Sequence, residues 1–156
     1  MTTPLEIMRL RSIISRVYAP QNNQFGKVRD SGTQSHQGWD LQASVGTPVR
    51  AIADGKLTYE DKGKLGKQLY LEFTHNGFTL YALYAHLSQI SVIPPCSVSE
   101  GTIIGLVGKT GNAKDLPTNE VHLHFEIRFT KNLGLGLSGR MDPGEILGYH
   151  HLFSPK

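Results

Sequence analysis

The sequence has little cysteine and no long hydrophobic run, and both features narrow what the chain can be. Its single cysteine, Cys96, follows two prolines and has no second cysteine with which to form an intramolecular disulfide. We interpret it as a small, half-buried loop residue rather than a nucleophile, and it does not decide the redox compartment. No apolar stretch approaches the roughly 20 residues of a membrane-spanning helix, so no membrane span is predicted.

Charge of one sign is also scarce. The formal net charge is +3, the sequence pI is about 9.0, and no long block of lysine and arginine occurs. So mild an excess favours polyanionic surroundings without choosing between nucleic acid, lipid headgroups and cell-wall polymers. In the absence of a basic block, we do not expect nucleic acid as a partner.

The N-terminus lacks the features of a secretion signal. Residues 1–16 include Glu6, Arg9, Arg11 and Arg16. Their apolar pieces are much shorter than the roughly 7–15 residues of a signal-peptide core. We therefore expect either a trimmed mature domain or export by a route that needs no N-terminal signal.

The pattern that is present predicts a single, mainly β, antiparallel domain with short helices. Residues 66–74 alternate, with Leu69, Leu71 and Phe73 on one face. The following Asn-Gly pair is typical of a two-residue hairpin turn, after which the chain returns as a strand. The other predicted elements are a short helix at residues 5–15 and strands at 47–53, 56–61, 78–86, 103–107 and 121–129.

Seven histidines are present, and four lie in contexts typical of a functional site: His36, His86, His122 and His124. His36 precedes Asp40 by four residues, so both side chains lie on one face if the chain is extended. Gly38 between them lets the backbone bend. Taken alone, the motif also fits a surface histidine beside an unrelated aspartate.

The second motif is His-Leu-His-Phe-Glu, which begins at His122. On a strand, His122, His124 and Glu126 project from one face, and the apolar residues between them project from the other. The alternative is a pair of histidines on a water-facing strand. His86 ends the second predicted hairpin strand, where a single hydrogen-bonded histidine is the alternative.

A zinc site explains the three contexts together better than three coincidences. Catalytic zinc usually keeps three protein ligands and one open position. Two neutral histidines and one aspartate leave a net charge of about +1, so the metal would still polarise a carbonyl and lower the pKa of water toward about 7. Spacing alone does not fix which residues bind metal and which act in catalysis.

The order of these motifs resembles the lysostaphin-type (LytM-like) zinc endopeptidases, which act on bacterial peptidoglycan. The resemblance covers residues 36–129 and implies the antiparallel β fold of that family, a duplicated hybrid motif. We interpret residues 1–156 as one peptidase domain with residues 1–35 as an N-terminal extension. The matching segments are His36-x-Gly38-x-Asp40, Gly46-Thr47-Pro48-Val49, Tyr84-x-His86-Leu87, Gly105 to Gly111 and His122-Leu123-His124-Phe125-Glu126.

The resemblance implies that His36, Asp40 and His124 are zinc ligands and that His86 and His122 are the catalytic histidines. We expect His122 to take the proton of the attacking water and deliver it to the leaving amine. His86 would donate a hydrogen bond to the developing oxyanion. The sequence does not separate these two roles, which could be exchanged.

Other positions near the motifs have alternative interpretations. Glu126 either supports a ligand histidine or is solvated. Tyr84 is interpreted as a structural aromatic in preference to an oxyanion donor, and Trp39 as core or as a wall of the site. Residues 112–121, an insertion relative to the family, are expected to shape the substrate groove. The remaining histidines are expected at the surface: His75, His150 and His151.

The sequence therefore predicts a zinc-dependent endopeptidase that hydrolyses peptide cross-links of peptidoglycan, acting in the periplasm or the extracellular cell wall. Its partners would be stem peptides or cross-bridges. Without an export signal, a further hypothesis is an antibacterial toxin delivered by secretion machinery or phage-type lysis, with an immunity protein in the producer. The alternatives are a non-catalytic activator of wall hydrolases and a histidine phosphocarrier, which would not need Asp40.

Overall fold

The computed structural model describes residues 1–12, 20–29 and 32–149. Strands dominate these ranges, as predicted, and no helix within them is long and apolar enough to cross a membrane. The short helices are α1 (Gly144–Leu147) and single 3₁₀ turns at Pro20–Asn23, Gly63–Leu65, Gly111–Ala113 and Thr118–Glu120. The strands are β1 (Gly26–Arg29), β2 (Gln34–His36), β3 (Trp39–Gln42), β4 (Pro48–Arg50), β5 (Gly55–Lys62), β6 (Gly66–His75), β7 (Phe78–Ile90), β8 (Cys96–Val98), β9 (Ile103–Val107), β10 (His122–Arg128) and β11 (Arg140–Met141).

Nine of these strands form one antiparallel sheet. Six of them lie side by side in the order β11-β10-β7-β6-β5-β8, and the other three pair beside this row. Strand β3 also pairs with β10, and β9 pairs with the far end of β7 and with β4. Strands β1 and β2 form a separate antiparallel pair. The predicted antiparallel β domain with short helices is confirmed.

The β6–β7 hairpin follows the sequence pattern. Asn76 and Gly77 have φ angles of 49° and 80°, the left-handed values that a tight hairpin turn requires. Leu69, Leu71 and Phe73 are buried in the hydrophobic core, as their alternation predicts. The hairpin therefore forms the centre of the sheet and contributes these side chains to its core.

Strand β10 lies between its partners and carries the second histidine motif. His124 is directly opposite Asp40 of β3 on one side and pairs with β7 on the other. Leu123 and Phe125 face the core, where Trp39 also packs, so Trp39 belongs to the core and not to a wall of the site. The register of three strands thus determines where His124 points.

The helix predicted at residues 5–15 is wrong wherever the structure describes it, which is as far as residue 12. The chain bends at residues 4–7 and then runs beside β3: Leu10 forms a β-bridge with Leu41, and the Arg11 amide donates to the Asp40 carbonyl over 2.8 Å. Pairing with β3 satisfies backbone groups that a helix would have satisfied locally, so tertiary contacts outweigh local propensity.

Two smaller predictions also need correction. The strand expected at residues 47–53 is confined to β4, because the chain beyond Arg50 turns while Ala51 and Ile52 stay buried. Cys96 is half-buried as expected, but it begins β8 and does not lie in a loop.

Gly38 separates the two residues of the first motif, and close packing explains why it is glycine. Its φ lies outside the left-handed region, so the conformation does not demand glycine. A Cβ at this position would collide with the Phe125 carbonyl oxygen and would lie 2.8 Å from Cγ of Glu126. Strand β10 therefore passes too close to this backbone for any side chain.

We expect Gly38→Ala to lower the free energy of unfolding by about 1–3 kcal/mol, the usual cost of overpacking, because β10 must move away. Thermal or denaturant unfolding measures the change. The control is Gly134→Ala, where an added Cβ meets nothing within 4 Å. Equal stability of the two variants would contradict this account of Gly38.

Candidate metal centre and active site

Two imidazole rings from the two histidine motifs converge on one carboxylate oxygen of Asp40. Nε2 of His36 lies 3.1 Å, and Nδ1 of His124 lies 2.8 Å, from Oδ1 of Asp40. Asp40 and His124 meet because they are directly opposite on antiparallel strands. All three residues are buried, and one ligand atom from each lies within 4.8 Å of the other two.

Asp40 is an anion in this cluster. Burial alone would raise its pKa, but the charges of His36 and His122 and the hydrogen bonds from His124 and His36 hold the pKa well below its ordinary value. A buried carboxylate of this kind requires a compensating cation. The arrangement therefore creates a strong preference for positive charge beside Oδ1.

His124 supplies that charge in the metal-free protein. Burial disfavours its charged form, but hydrogen bonds to Asp40 and Glu126 outweigh burial and raise the pKa of His124 to about 9. A metal cation would replace the proton between Nδ1 of His124 and Asp40. Two imidazole nitrogens and a carboxylate oxygen are typical zinc ligands, so the residues present fit such an ion.

The other two predicted histidines adjoin this cluster. Nε2 of His122 lies 3.7 Å from Oδ1 of Asp40. The ring centroid of His86 lies 5.3 Å from that of His122 and 6.1 Å from that of His124. All the predicted site residues line one open cavity of about 510 Å³. The structure thus brings together every residue for which the sequence predicted a metal or catalytic role.

Hydrogen bonds to the main chain determine how three of the histidines are protonated. Each bonds a carbonyl oxygen through Nδ1: His36 to Gln24 (2.8 Å), His86 to Thr110 (2.9 Å) and His122 to Glu120 (2.9 Å). A carbonyl only accepts, so Nδ1 carries the proton in all three rings, and Nε2 of neutral His86 and His122 keeps its lone pair. Nε2 of His36 instead donates to Oδ1 of Asp40 in the metal-free protein. His124, the charged ring, donates from both nitrogens, from Nδ1 to Asp40 and from Nε2 to Glu126 at 2.9 Å.

His86 occupies a strained part of strand β7. Its φ of 61° is left-handed, which is uncommon for a residue other than glycine. At this point β7 leaves its pairing with β10, its register with β6 shifts, and it begins to pair with β9. Burial, reinforced by the charges of His124 and His122, lowers the pKa of His86 to about 4. The ring is therefore neutral at physiological pH, and its strained backbone is of the kind that collects at functional sites.

Glu126 is buried between His124 and two arginines. Oε1 accepts from His124, and Oε2 accepts from Nε of Arg128 at 2.6 Å and Nε of Arg140 at 2.8 Å. These partners outweigh burial, which would raise the pKa of Glu126, and hold that pKa far below its ordinary value. Of its two interpretations, support of His124 is confirmed and solvent exposure is wrong.

Two arginines contact the other oxygen of Asp40. Nη2 of Arg29 lies 3.0 Å, and Nη1 of Arg11 lies 3.6 Å, from Oδ2. No local pattern pointed to either residue, because both precede the motifs and reach the site only through the fold. Arg128 did carry a signal, since it continues the period-two alternation of His124 and Glu126.

The remaining candidates lie outside the site or at its rim. Tyr84 is a structural aromatic, because its buried hydroxyl accepts the Ile52 amide at 3.0 Å. Asn112 and Leu116 of the insertion line the cavity, as expected of a loop that shapes a groove. His75 is half-buried beside the hairpin turn, away from the cluster. His150 and His151 fall outside the described residues.

We expect long-range ¹H–¹⁵N spectra of the metal-free protein to show a protonated Nδ1 and a bare Nε2 on His86. Because its pKa is lowered to about 4, the ring should remain neutral from about pH 8 to about pH 5. Its contribution to stability is complete above pH 6.5 and declines as the pH falls toward about 4. His75, outside the cluster, is the internal reference. Protonation of Nε2 of His86 at neutral pH would contradict the assignment.

Sequence relatives match the central part of the chain. It is 40% identical over 94 residues to the DD-carboxypeptidase/endopeptidase Mpg of Neisseria meningitidis, which covers 60% of this chain and 20% of that protein. It is 36% identical over 92 residues to the glycyl-glycine endopeptidase ALE-1 of Staphylococcus capitis, which covers 59% and 24% respectively. The chain thus spans a fifth to a quarter of the length of these relatives.

A solved structure and a family match agree with the sequence relatives. The catalytic domain of the antimicrobial peptidase lysostaphin from Staphylococcus simulans superposes with a TM-score of 0.63 and 28% identity, covering 81% of this chain and 90% of that one. Residues 34–134 match peptidase family M23. The extent of the domain, residues 1–156, stays a prediction. Because the match covers most of the chain and contains all five clustered residues, the chain belongs to peptidase family M23.

Proposed function

We propose that this chain is a zinc-dependent endopeptidase that hydrolyses peptide cross-links of bacterial peptidoglycan. The observation that carries the proposal is the convergence of two imidazole nitrogens and one carboxylate oxygen beside two further histidines in one open cavity. The family is a peptidase family, and two relatives are named as endopeptidases. Both facts favour peptide-bond hydrolysis over other zinc chemistry.

His36, Asp40 and His124 would hold the zinc ion, as ligands of the kind and number that catalytic zinc keeps. When bound, zinc supplies Lewis acidity, which polarises a peptide carbonyl and makes water a competent nucleophile near neutral pH. Glu126 orients His124 by accepting a hydrogen bond from its Nε2–H, which directs Nδ1 toward Asp40.

His122 is proposed as the general base. Its Nδ1 proton is held by the Glu120 carbonyl, so Nε2 is ready to accept the proton of the attacking water. Burial lowers the pKa of His122, an effect that the charge of Asp40 opposes, so the ring starts neutral. Once protonated at Nε2, the same atom can deliver the proton to the leaving amine.

His86 is proposed to stabilise the oxyanion, on one condition. Its Nδ1 proton is held by the Thr110 carbonyl, so the neutral ring offers an acceptor and not a donor at Nε2. Donation to an oxyanion therefore requires that His86 first take up a proton, which solvent in the open cavity would supply. The sequence left open an exchange of roles between the two histidines. In that case His122 would have to take up a proton at Nε2 before it could donate to the oxyanion.

The biological setting is part of the proposal. We infer action in the periplasm or the extracellular cell wall, as an antibacterial effector with an immunity protein in the producer. Of the two alternatives, a non-catalytic activator would keep the fold but lack bound zinc. A phosphocarrier would have no use for a buried Asp40 between histidines, and transfer of phosphate from a phosphodonor would identify it.

Digestion of purified peptidoglycan with and without a zinc chelator tests the proposal. We expect peptide-bond cleavage that the chelator abolishes and added zinc restores, because the Lewis acid is essential. Mass analysis of the fragments names the bond, and glycine bridges and direct D-amino-acid cross-links are both to be tried. No cleavage of several wall types by zinc-loaded, folded protein would favour the activator.

Substitutions should separate zinc binding from catalysis. We expect Asp40→Asn to lose bound zinc and activity together. His122→Ala should keep zinc yet lose about 10²–10⁴-fold in kcat, the usual contribution of an acid–base group. His75→Ala, outside the cluster, is the matched control and should match wild type in both measurements. A His122→Ala enzyme with wild-type kcat would remove this residue from the mechanism.

A further inference from the structure

The two oxygens of the Asp40 carboxylate have different partners. Oδ1 faces the imidazoles of His36 and His124 at 3.1 and 2.8 Å. Oδ2 faces the guanidinium groups of Arg29 at 3.0 Å and Arg11 at 3.6 Å. The carboxylate is buried, so water does not substitute for these partners. One oxygen is therefore directed to the histidines and the other to the arginines.

Both arginines come from the N-terminal segment, residues 1–12 and 20–29, which precedes the family match at residues 34–134. The segment is tied to the site by main-chain bonds. The Arg11 amide donates to the Asp40 carbonyl at 2.8 Å, and the Arg11 carbonyl accepts from Nδ2 of the buried Asn23 at 2.7 Å. Nε of Arg29 donates to the Asn22 carbonyl at 3.1 Å. The Arg29 guanidinium is thus held by a partner other than Asp40, and the main chain of Arg11 is fixed on both sides.

We propose that Arg11 and Arg29 are positioning residues of the metal centre. By holding Oδ2, they fix the rotation of the Asp40 carboxylate so that Oδ1 alone faces the metal position. The terminal torsion of an aspartate is broad and roughly two-fold, so an unrestrained carboxylate would sample other orientations. The inference rests on the zinc site proposed above and adds the N-terminal segment to it.

The same arginines exert an opposing effect on a metal ion. Their positive charges repel a divalent cation, and this repulsion alone would weaken zinc binding. Orientation of a ligand by its outer hydrogen bonds is typically worth about 10–100-fold in metal affinity. If the arginines act mainly by orienting Asp40, removal of one lowers the zinc affinity. If they act mainly by repelling the cation, removal raises the zinc affinity. The sign of the measured change therefore decides between the two effects.

Arg11 also connects the metal position to the proposed base. Its Nη2 lies 3.5 Å from Oε2 of Glu120, whose carbonyl accepts the Nδ1 proton of His122 at 2.9 Å. Arg11 therefore contacts the carboxylate of the cluster and also the residue that sets the tautomer of His122. Loss of Arg11 should for this reason disturb kcat more than loss of Arg29 does.

Competition with a chromophoric chelator measures zinc affinity in the wild type and in Arg29→Met, Arg11→Met and Arg29→Lys. We expect the methionine variants to bind zinc about 10–100-fold more weakly. Arg29→Lys should lie between them and wild type, because lysine restores the charge without the planar fork. Lys27→Met, an exposed change on the same strand, is the matched control and should equal wild type.

Two further measurements separate positioning from a merely structural role. Thermal unfolding of the zinc-free variants reports folding, and the visible spectrum of the cobalt-loaded protein reports the ligand geometry. We expect Arg29→Met to shift the cobalt bands while its zinc-free protein stays folded, since Arg29 is partly exposed. If Arg11→Met does not fold, Arg29→Met alone decides the question.

Equal or tighter zinc binding by folded Arg29→Met, with an unchanged cobalt spectrum, would overturn the inference. That outcome would leave the proposed function intact, provided that the wild type binds zinc and cleaves peptidoglycan. A wild type that binds no zinc would instead refute the proposed function. The two failures are therefore distinguishable in the same experiment.

Discussion

The buried carboxylate of Asp40 is the group on which the site depends. An anion removed from water is costly unless partners compensate it, and here the partners come from β2, β10 and the N-terminal segment. These elements can meet only when β3 and β10 pair in the observed register, because a slip of one residue would turn His124 toward the core. The fold and the metal site are therefore specified by the same strand pairing.

Charges alternate across this face of the sheet. Consecutive ion pairs form a chain in which neighbouring groups have opposite charges: Arg29, Asp40, His124, Glu126 and Arg140. Each buried link stabilises the protein only while both partners are present, and loss of one leaves an uncompensated charge. The same residues orient the candidate ligands, so stability and function are coupled at this face. The core on the opposite face, built from residues such as Leu123 and Phe125, supplies the apolar burial that offsets the cost of these charges.

The sequence predicted the parts of this structure that repeat along the chain. Alternation placed His122, His124 and Glu126 on one face, and the Asn-Gly pair located the β6–β7 turn. Contacts between distant segments were not predictable in this way. Residues 9–11 bond to β3 and are not helical, and Arg11 and Arg29 reach Asp40 only because the N-terminal segment folds back. Gly38 was predicted to allow a backbone bend. The structure gives a different reason for glycine, the close approach of the Phe125 backbone, which no local pattern contains.

The histidine tautomers set the order of events in the proposed reaction. Carbonyls of the main chain hold the Nδ1 protons of His86 and His122, so both rings begin as acceptors at Nε2. The reaction needs an acceptor first, for the proton of water, and a donor afterwards, for the leaving amine. Neither Nε2 carries a proton in the resting site, because burial lowers the pKa of His86 to about 4 and also lowers that of His122. The proton taken from water is thus the one available for the leaving group, and a backbone that fixes two tautomers also fixes the direction in which that proton moves.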